Sequence, residues 1–397
     1  MFLYFTICEN SKIDIDLIVR KNFRQRNLGK NAIKKTVHSI FDSDRISIGI
    51  ILGLLGLWGC VAVYNAKIYE PYSFYFVIRQ LLWVLLGITI YFISSKIPFK
   101  FYKKNALWFA LLFWLPLMLV LVWGDNVNGM NGWFVFHYHS QPIYIQPAEL
   151  AKPAYILCIC YICYRNRPAF DKFILMLIIC LLWIFPVVLE PDFGTAIIYF
   201  AGFIIVYWVG GGKKRYLTII LILGIISSIV VVLTKPYVLQ RVLGFLFPSI
   251  DPYGAGWHTM QFRYSMARGG LEGAGLGKAI WSNAYLPLSH TDSIFSSLTE
   301  TLGFIGVLPI LIGFVLLVYL TFTLALRAKD SFVVLFSCSL VSLITFQAFL
   351  HIGVNVGLIP PTGVTLPLLS YGGSSLTSTM LGFGILISAA KSENLKK

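Results

Sequence analysis

The feature that most limits the fold of this chain is a series of ten long apolar runs. They lie at 46–66, 74–95, 105–124, 148–164, 172–190, 193–211, 216–234, 298–326, 331–357 and 372–390. A helix needs about 20 apolar residues to cross a bilayer, so these runs predict an all-α polytopic membrane protein with about ten transmembrane helices. The runs are continuously apolar rather than alternating, which argues against an outer-membrane barrel.

The balance of apolar and charged residues agrees with this class. Apolar residues make up 57% of the chain and charged residues 12%, whereas soluble domains carry roughly 25% charged residues. A net charge of +15 also occurs in nucleic-acid-binding proteins, but here the basic residues concentrate in loops on one side of the membrane domain. No basic and aromatic recognition module accompanies the charge, so we expect no nucleic-acid partner.

The distribution of Lys and Arg between alternating loops predicts the orientation in the membrane. Three connections on one side, 125–147, 191–192 and 358–371, contain no Lys or Arg, whereas the loops on the other side are basic. Loops rich in Lys and Arg stay in the cytoplasm, so we expect both termini to be cytoplasmic. The expected regions are a basic N-terminal tail at 1–45, a ten-span membrane domain at 46–390 and a C-terminal tail at 391–397.

A large loop at 235–297, between spans seven and eight, falls on the outer side. It carries several basic residues, namely Lys235, Arg241, Arg263, Arg268 and Lys278. A loop of this length can be translocated regardless of its charge. Basic residues outside the membrane favour an anionic ligand such as lipid phosphate, and ordinary solvated charge explains them equally well.

Asp292 is the residue of this loop with the greatest chemical interest. It follows Pro287 and precedes the apolar run of the eighth span. A carboxylate at a helix start accepts backbone N–H bonds and is favoured by the helix dipole, so helix capping is one interpretation. The other is a general base at the membrane face, whose pKa is tuned by partial burial to take a proton from a sugar hydroxyl. His290 lies two residues away and either assists Asp292 or merely flanks it.

Glu149 and Lys152 form a second feature, at the outer end of the fourth span. A spacing of three places both side chains on one helix face, within pairing range. One interpretation is an interfacial salt bridge in which Lys152 extends towards the headgroups. The other is a charge pair inside the bundle that opens onto an outer cavity, because ionisable residues in membrane helices are costly and often mark a site. Gln347 and Asn355, in the ninth span, are expected to join helices by hydrogen bonds.

Two further segments lie at the outer ends of spans. Ser370, Ser374 and two glycines enter the last span, where they either cradle a phosphate or sugar or permit tight helix packing. The segment Glu190-Pro191-Asp192 makes a sharp turn between spans five and six, and Asp192 is expected to cap the sixth helix.

Together these motifs resemble those of the SEDS family (shape, elongation, division and sporulation), which includes FtsW, RodA and SpoVE. The matching segments, in the order of the family, are Val127-Asn128-Gly129 with Trp133, Gln146 to Lys152, Pro191 to Thr195, Gln261, Gly269 to Gly277, Leu286-Pro287, His290-Thr291-Asp292, Glu300 to Gly303, Pro360, Thr362-Gly363 and Ser370 to Ser375. The resemblance covers about residues 46–390 and leaves the basic tail outside.

The chain departs from the family pattern at three places. Leu288 stands where the family usually has Glu, and Met130-Asn131-Gly132-Trp133 stands where Ala-Arg-Arg-Trp is common. A Gly-Tyr-Gln pattern is replaced by Gly256-Trp257-His258, and only Gln261 further on fits. These departures affect the finer contacts with substrate and leave Asp292 in place.

The resemblance implies a SEDS-type fold and a peptidoglycan glycosyltransferase of the bacterial cytoplasmic membrane. Such an enzyme polymerises lipid II into glycan strands at the outer face and releases undecaprenyl diphosphate. Asp292 would be the general base. The substrate-binding residues implied are Glu149, Lys152, Gln261, His290, Glu300, Ser370 and Ser374. Positive charge for the leaving diphosphate would come from Lys152, from a loop Arg or from a bound divalent cation, with no dedicated protein metal site expected.

The resemblance also implies a class B penicillin-binding protein as partner, together with other proteins of the division or elongation machinery. The segments Phe247 to Pro252 and Gly275 to Lys278 favour the FtsW branch. Two other functions remain open at this point: a lipid II flippase, and a scaffold subunit that recruits cell-wall synthesis proteins. A flippase needs a polar path that reaches the cytoplasmic side, whereas the ionisable residues here cluster outward.

Overall fold

The computed structural model describes residues 30–395 apart from 71–72, 128, 139–140 and 166–168. The chain divides into two compact units, residues 1–46 and 47–397. Most of the predicted N-terminal tail, Asn128 of the first motif and the last two lysines lie outside the described residues. The second unit contains all the predicted site residues.

Helices occur at all ten positions where the apolar runs predict them. In chain order the helices are α1 Lys30–Ala66, α2 Ser73–Lys96, α3 Phe99–Lys104, α4 Ala106–Trp123, α5 Pro147–Leu150, α6 Lys152–Tyr164, α7 Ala169–Leu189, α8 Phe193–Val209, α9 Lys214–Thr234, α10 Pro236–Leu246, α11 Trp257–Gly269, α12 Ile280–Ala284, α13 Ile294–Leu326, α14 Ser331–Asn355 and α15 Gly373–Leu395. Eight helices of the described chain are long and apolar enough to cross a membrane, and α6 and α8 are shorter, with 13 and 17 residues. The prediction of a helical, multi-pass membrane protein is confirmed.

The last helix, α15, lies at the centre of the bundle and packs along α2. Small residues make the close approach possible, as in many membrane helix pairs. A Cβ on Gly87 of α2 would lie 2.6 Å from Leu376, and one on Gly384 of α15 would collide with Ser94. At the start of α15 a Cβ on Gly373 would collide with Trp83 of α2, which fits the packing interpretation of the Ser370 to Ser375 segment, whereas a Cβ on Gly372 would meet no atom within 4 Å.

The connections predicted to be outside contain more regular structure than the sequence predicts. Strands β1 Asp125–Val127, β2 Met130–Tyr138 and β3 Gln141–Ile145 form an antiparallel sheet in the order β1-β2-β3 between α4 and α5. Phe134 pairs with Ile145 and Tyr138 with Gln141. The large outer loop likewise contains α10, α11 and α12.

The outer part of α13 is clamped by the glycine-rich segment 269–277. Gly303 interrupts the helix with φ 66° and ψ −176°, a conformation that requires glycine. The interruption frees backbone groups on both sides. The amide of Ala274 donates to the carbonyl of Glu300 at 2.8 Å, and that of Phe304 donates to Gly270 at 3.0 Å. The clamp fixes the segment of α13 around Gly303.

Candidate active site

Asp292 lies in a tight turn, residues 288–293, at the N-terminal end of α13. The turn is fixed from several sides. Leu288 adopts a φ of 46°, which is unusual for a residue other than glycine. The hydroxyl of Ser370 donates to the Thr291 carbonyl at 2.8 Å, and the Asn355 amide donates to the Asp292 carbonyl at 3.0 Å. The N-cap of α13 is Ser293, and no side chain caps this helix, so the capping interpretation of Asp292 is wrong.

The environment of Asp292 favours a neutral carboxyl more than water does. The residue is half-buried, and this burial raises the pKa of Asp292 to about 6, with Asp192 also raising it. The guanidinium of Arg241 and the hydroxyl of Thr291 act in the opposite direction. A carboxyl with a pKa near 6 remains mostly ionised at neutral pH and accepts a proton more readily than an ordinary aspartate.

Arg241 brings positive charge from the large outer loop to this carboxyl. It lies on α10, where its guanidinium stacks 4.3 Å from the centre of the Tyr237 ring. The same guanidinium donates to the carbonyl of Pro361 at 3.2 Å. Two residues further on, a Cβ on Gly363 would lie 3.7 Å from Asp292 Oδ2. The connection between α14 and α15 therefore lies against both the Arg241 guanidinium and the Asp292 carboxylate.

Glu149 and Lys152 form the predicted ion pair, inside the bundle rather than at its surface. Lys152 Nζ lies 2.6 Å from Glu149 Oε1, and both side chains are almost fully buried. Lys152 also donates to Gln347 Oε1 at 2.9 Å. The amide of Gln347 donates to the carbonyl of Thr365 at 3.0 Å, and the Thr365 hydroxyl donates to Ser375 at 2.9 Å. This chain of hydrogen bonds joins α5, α6, α14 and the connection that contacts Asp292.

Asp192 lies beside this ion pair and is firmly held. Its carboxylate accepts from the backbone of Thr195 and from the side-chain amide of Gln146, both at 2.9 Å. The prediction that Asp192 caps the sixth helix is confirmed. Burial is the main cause that raises the pKa of Asp192, and Glu149 contributes to the rise while Lys152 opposes it. Asp192 in turn raises the pKa of Asp292. The charges of Glu149 and Lys152 act on Asp192, and the charge of Asp192 acts on Asp292.

Glu190 is a buried carboxyl that the sequence motifs do not single out. Its residue exposure is 0%, and neither carboxylate oxygen has a hydrogen-bond partner among the described residues. A Cβ on Gly132 of β2 would collide with the Glu190 carboxylate, so the strand lies directly against it. Burial and the neighbouring Asp192 raise the pKa of Glu190 to about 8. Glu190 is therefore mainly protonated at neutral pH.

Four of the predicted binding residues contribute bonds that hold the fold. Glu300 is fully buried and accepts from the amides of Trp281 and Ser282, at 3.0 and 2.6 Å. Gln261 accepts from the Trp281 indole at 2.9 Å. Ser370 fixes the Asp292 turn, as described above. The Ser374 hydroxyl accepts a hydrogen bond from the backbone N–H of Gln146 at 2.9 Å. These bonds give Glu300 and Gln261 an architectural role, which the sequence cannot distinguish from substrate binding.

His290 lies in the same turn as Asp292, against two aromatic rings. Its ring centre is 5.9 Å from that of Phe76 and 5.5 Å from that of Tyr371. Burial, with a smaller contribution from Lys67, lowers the pKa of His290 to about 3. The imidazole is therefore neutral at physiological pH.

A divalent cation does not fit the donor set of this site. Within the described part of the chain, no three His, Cys, Asp or Glu side chains are grouped so that they could hold a metal ion. Glu149 and Asp192 are already engaged with Lys152 and Gln146. Lys152 and Arg241 are basic side chains of this region.

Sequence reasoning missed the functional relevance of several residues. Gln347 and Asn355 join helices as predicted, and the sequence does not show that their partners are Lys152 and the Asp292 turn. Their signal was present, since a carboxamide in an apolar span needs a partner. No pattern in the sequence indicates that Arg241 acts on Asp292, because their proximity depends on the path of the whole 235–297 loop.

Comparison with known proteins places this architecture in a family. Residues 45–395 match the family model FtsW/RodA/SpoVE, described as cell cycle protein. A probable peptidoglycan glycosyltransferase FtsW of Wigglesworthia glossinidia brevipalpis is 31% identical over 89% of this chain and 95% of its own length. Stage V sporulation protein E of Bacillus subtilis is 33% identical over 88% of this chain and 97% of its own length.

Solved structures agree with the sequence comparisons. RodA of Thermus thermophilus superposes with a TM-score of 0.65 at 26% identity, over 87% of this chain and 96% of that chain. A chain from a peptidoglycan synthase complex that coordinates polymerization and crosslinking gives a TM-score of 0.73 at 28% identity, over 88% of this chain and 98% of that chain. With a family model that spans nearly the whole membrane domain and relatives that align end to end, the chain belongs to the FtsW/RodA/SpoVE family.

Proposed function

We infer that this chain is a peptidoglycan glycosyltransferase of the SEDS family, which polymerises lipid II in cell division or elongation. The observation that best supports the assignment of the active site is the environment of Asp292. Its carboxyl is half-buried beside the N-terminal end of α13, has a pKa of about 6 and lies within the electrostatic influence of Arg241. The family relatives named as probable peptidoglycan glycosyltransferases supply the reaction class.

The proposed reaction requires one proton acceptor and a stabilised leaving group. The 4-hydroxyl of one sugar attacks the anomeric carbon of another. The hydroxyl proton passes to Asp292 as the new glycosidic bond forms. The bond from the anomeric carbon to the undecaprenyl diphosphate breaks, and its electron pair leaves with the diphosphate. Asp292 then returns the proton to solvent, so the carboxylate is ready for the next cycle.

Arg241 and Lys152 are the cations that we assign to the leaving diphosphate. Fixed positive charge is most effective where negative charge develops in the transition state. Arg241 is anchored by Pro361 and acts electrostatically on Asp292. Lys152 is anchored by Glu149 and Gln347. A lysine held by both an acid and an amide keeps its position when a bulky anion arrives.

The distribution of buried charge favours the enzyme over a lipid II flippase. Among the described residues, the fully buried charged side chains are Glu149, Lys152, Glu190, Asp192 and Glu300 at the Asp292 end and Glu393 near the C-terminus. A translocation path needs polar groups along its length. Here they concentrate at one end, as surface chemistry requires.

We propose that the Asp292 end faces outward, with both termini in the cytoplasm, and that a class B penicillin-binding protein is the partner. Three of the connections at this end, 125–147, 191–192 and 358–371, contain no Lys or Arg, which supports the orientation. The partner is supported by the similarity to a chain from a complex that couples polymerization with crosslinking. A partner of this kind would crosslink the strands that this chain makes.

The decisive experiment is polymerisation of fluorescent lipid II by the purified protein with its partner. We expect Asp292→Asn to reduce the rate by about 10²- to 10⁴-fold, the usual contribution of a general base. Asp171→Asn, an exposed carboxylate at the opposite end of the bundle, is the matched control and should polymerise normally. A normal rate for Asp292→Asn would exclude this residue as the base. Lipid II transport into vesicles without polymer formation would favour the flippase instead.

A further inference from the structure

One face of α14 carries three polar side chains that are almost fully buried. They are Gln347, His351 and Asn355. Residues four apart lie on the same side of a helix, so the three form one polar line along α14. Gln347 donates to the connection between α14 and α15, and Asn355 donates to the turn that carries Asp292. His351 lies between these two and takes no part in the proton transfer described above.

The His351 side chain is bonded to the backbone of the same connection. Its Nδ1 lies 2.7 Å from the carbonyl oxygen of Val364. A carbonyl only accepts, so Nδ1 carries the proton, and Nε2 of the neutral imidazole is an acceptor. Nε2 is buried and has no partner among the described residues. A substitution of His351 therefore acts on the connection through the loss of the bond to Val364.

Val364 directly follows a bend in the connection beside Asp292. At this bend Gly363 has a φ of 76°, in the left-handed region that favours glycine. A Cβ on Gly363 would lie 3.7 Å from Asp292 Oδ2. Glycine restricts its own φ and ψ less than any other residue does. The conformation of the bend therefore depends on the bonds of the residues next to it, and the bond from His351 is one of these.

On the other side of the bend, the connection holds Arg241. The guanidinium donates to the Pro361 carbonyl at 3.2 Å. Burial raises the pKa of Asp292, and the charged side chains that act on it are Arg241, which lowers it, and Asp192, which raises it. A change in the bend at Gly363 would displace Pro361, and with it the guanidinium, relative to the Asp292 carboxylate.

We propose that His351 is a positioning residue of the active site, which holds Val364 and, through the bend at Gly363, keeps Arg241 in place beside Asp292. The role rests on the proposed function, because it concerns the environment of the base in that reaction. Loss of the bond to Val364 weakens the action of Arg241 on Asp292, although the His351 side chain is bonded to neither of them within the described part of the chain.

The test measures lipid II polymerisation by the purified protein with its partner between pH 5 and 8. In His351→Leu we expect kcat/KM at pH 7 to fall by about 10- to 100-fold, because a small displacement at a reacting group costs rate on this scale. The midpoint of the pH profile should move upward, as for the loss of the Arg241 charge itself. His351→Asn retains an amide N–H near the position of Nδ1 and should restore both values.

The matched control is Thr345→Val on the same helix. The Thr345 hydroxyl donates to the carbonyl of Val341, within α14, at 2.8 Å. Its loss should leave the rate and the midpoint unchanged. Melting temperatures in detergent show whether each variant folds. If His351→Leu does not fold, His351→Gln replaces it with the same expectations, because its amide lies near the position of Nε2 rather than Nδ1.

The double variant Arg241→Gln, His351→Leu distinguishes positioning from general packing. If His351 acts through Arg241, the midpoint of the double variant equals that of Arg241→Gln alone. An unchanged midpoint in folded His351→Leu, a further upward shift in the double variant, or failure of His351→Asn to restore the midpoint would overturn the role. Absence of any polymer from the wild type would instead refute the proposed function, so the two failures are distinguishable.

Discussion

The side-chain amide of Asn355 donates to the backbone carbonyl of Asp292 at 3.0 Å. Its oxygen accepts from both the amide and the hydroxyl of Ser296, at 3.0 and 2.8 Å. A single residue near the end of α14 therefore holds the turn before α13 and the first turn of α13 itself. This arrangement makes Asn355 a positioning residue for Asp292, although its side chain does not contact the carboxylate in any described bond.

We predict that Asn355→Ala lowers kcat by roughly 10- to 100-fold, because a displacement of about 1 Å at a reacting group costs rate on this scale. KM should change little, since the cations that hold the diphosphate are intact. Lipid II polymerisation kinetics measure both constants. Asn105→Ala is the matched control at the other end of the bundle, where the Asn105 amide bonds only the neighbouring Phe101 carbonyl. A normal kcat for Asn355→Ala would show that the turn is held without this residue.

The sequence predicts those contacts of the site that join residues close together in the chain. The spacing of Glu149 and Lys152 predicts their ion pair, because residues three apart on a helix are neighbours. The acid between Pro287 and an apolar run marks Asp292 at an outer helix end. Arg241 lies about fifty residues before Asp292 in the sequence, and its effect on that carboxyl depends on the folded outer loop.

Other features of the site depend on contacts between residues far apart in the sequence. Glu300 has the same chemical groups as a ligand-binding acid, and only the fold shows that loop amides occupy its carboxylate. The β1-β2-β3 sheet was not predicted, because its short strands lie among glycines and aromatic residues rather than in a clear alternating pattern. Glu190 lies in the predicted turn, but its burial, which includes close contact with Gly132 on β2, is not visible in the local sequence.

The pKa of Asp292 predicts the pH dependence of the reaction. A general base acts in its deprotonated form, so kcat/KM should rise with pH, with a midpoint near 6, and then level off. His290 does not titrate in this range, because its pKa is about 3. Polymerisation rates between pH 5 and 8 at subsaturating lipid II measure the profile.

Arg241→Gln should shift that midpoint upward. The Arg241 guanidinium lowers the pKa of Asp292, so its removal leaves burial and Asp192 to raise it further. Arg263→Gln removes an exposed guanidinium from the same outer region and should leave the midpoint in place. A midpoint that stays fixed in Arg241→Gln would contradict the electrostatic coupling of these two residues.

The buried ion pair between Glu149 and Lys152 predicts how the free energy of unfolding changes in single and double variants. Lys152→Met leaves Glu149 charged and unpaired inside the bundle, which should cost about 3–5 kcal/mol of folding free energy. The double variant Glu149→Gln, Lys152→Met removes both charges and should recover much of that loss. Thermal unfolding in detergent compares the two.

The double variant should recover stability without recovering polymerisation activity. If Lys152 stabilises the leaving diphosphate, the double variant remains far less active than wild type even when it is as stable. Matched recovery of stability and polymerisation in the double variant would assign a purely structural role to the pair. The conservative variant Lys152→Arg retains the charge and tests whether charge alone is sufficient, because a guanidinium differs from an ammonium in shape.

Glu190 predicts a pH dependence of stability. Its pKa is raised from an ordinary value near 4.5 to about 8, so the folded protein favours the protonated form. Its stabilising contribution is complete below the unfolded pKa and is lost as pH rises through about 8. Glu190→Gln mimics the protonated carboxyl at every pH. The melting temperature of the variant relative to wild type should therefore increase steadily between pH 5 and 8.5.

The control for this measurement is Glu272→Gln, which neutralises an exposed carboxylate and should show the same pH dependence as wild type. Asp192 is the charged neighbour that also raises the pKa of Glu190. Its replacement in Asp192→Asn should therefore weaken the pH dependence without abolishing it, because burial is the larger cause. Parallel melting curves for Glu190→Gln and wild type across the pH range would mean that Glu190 is ionised in the folded protein and finds a compensating partner there.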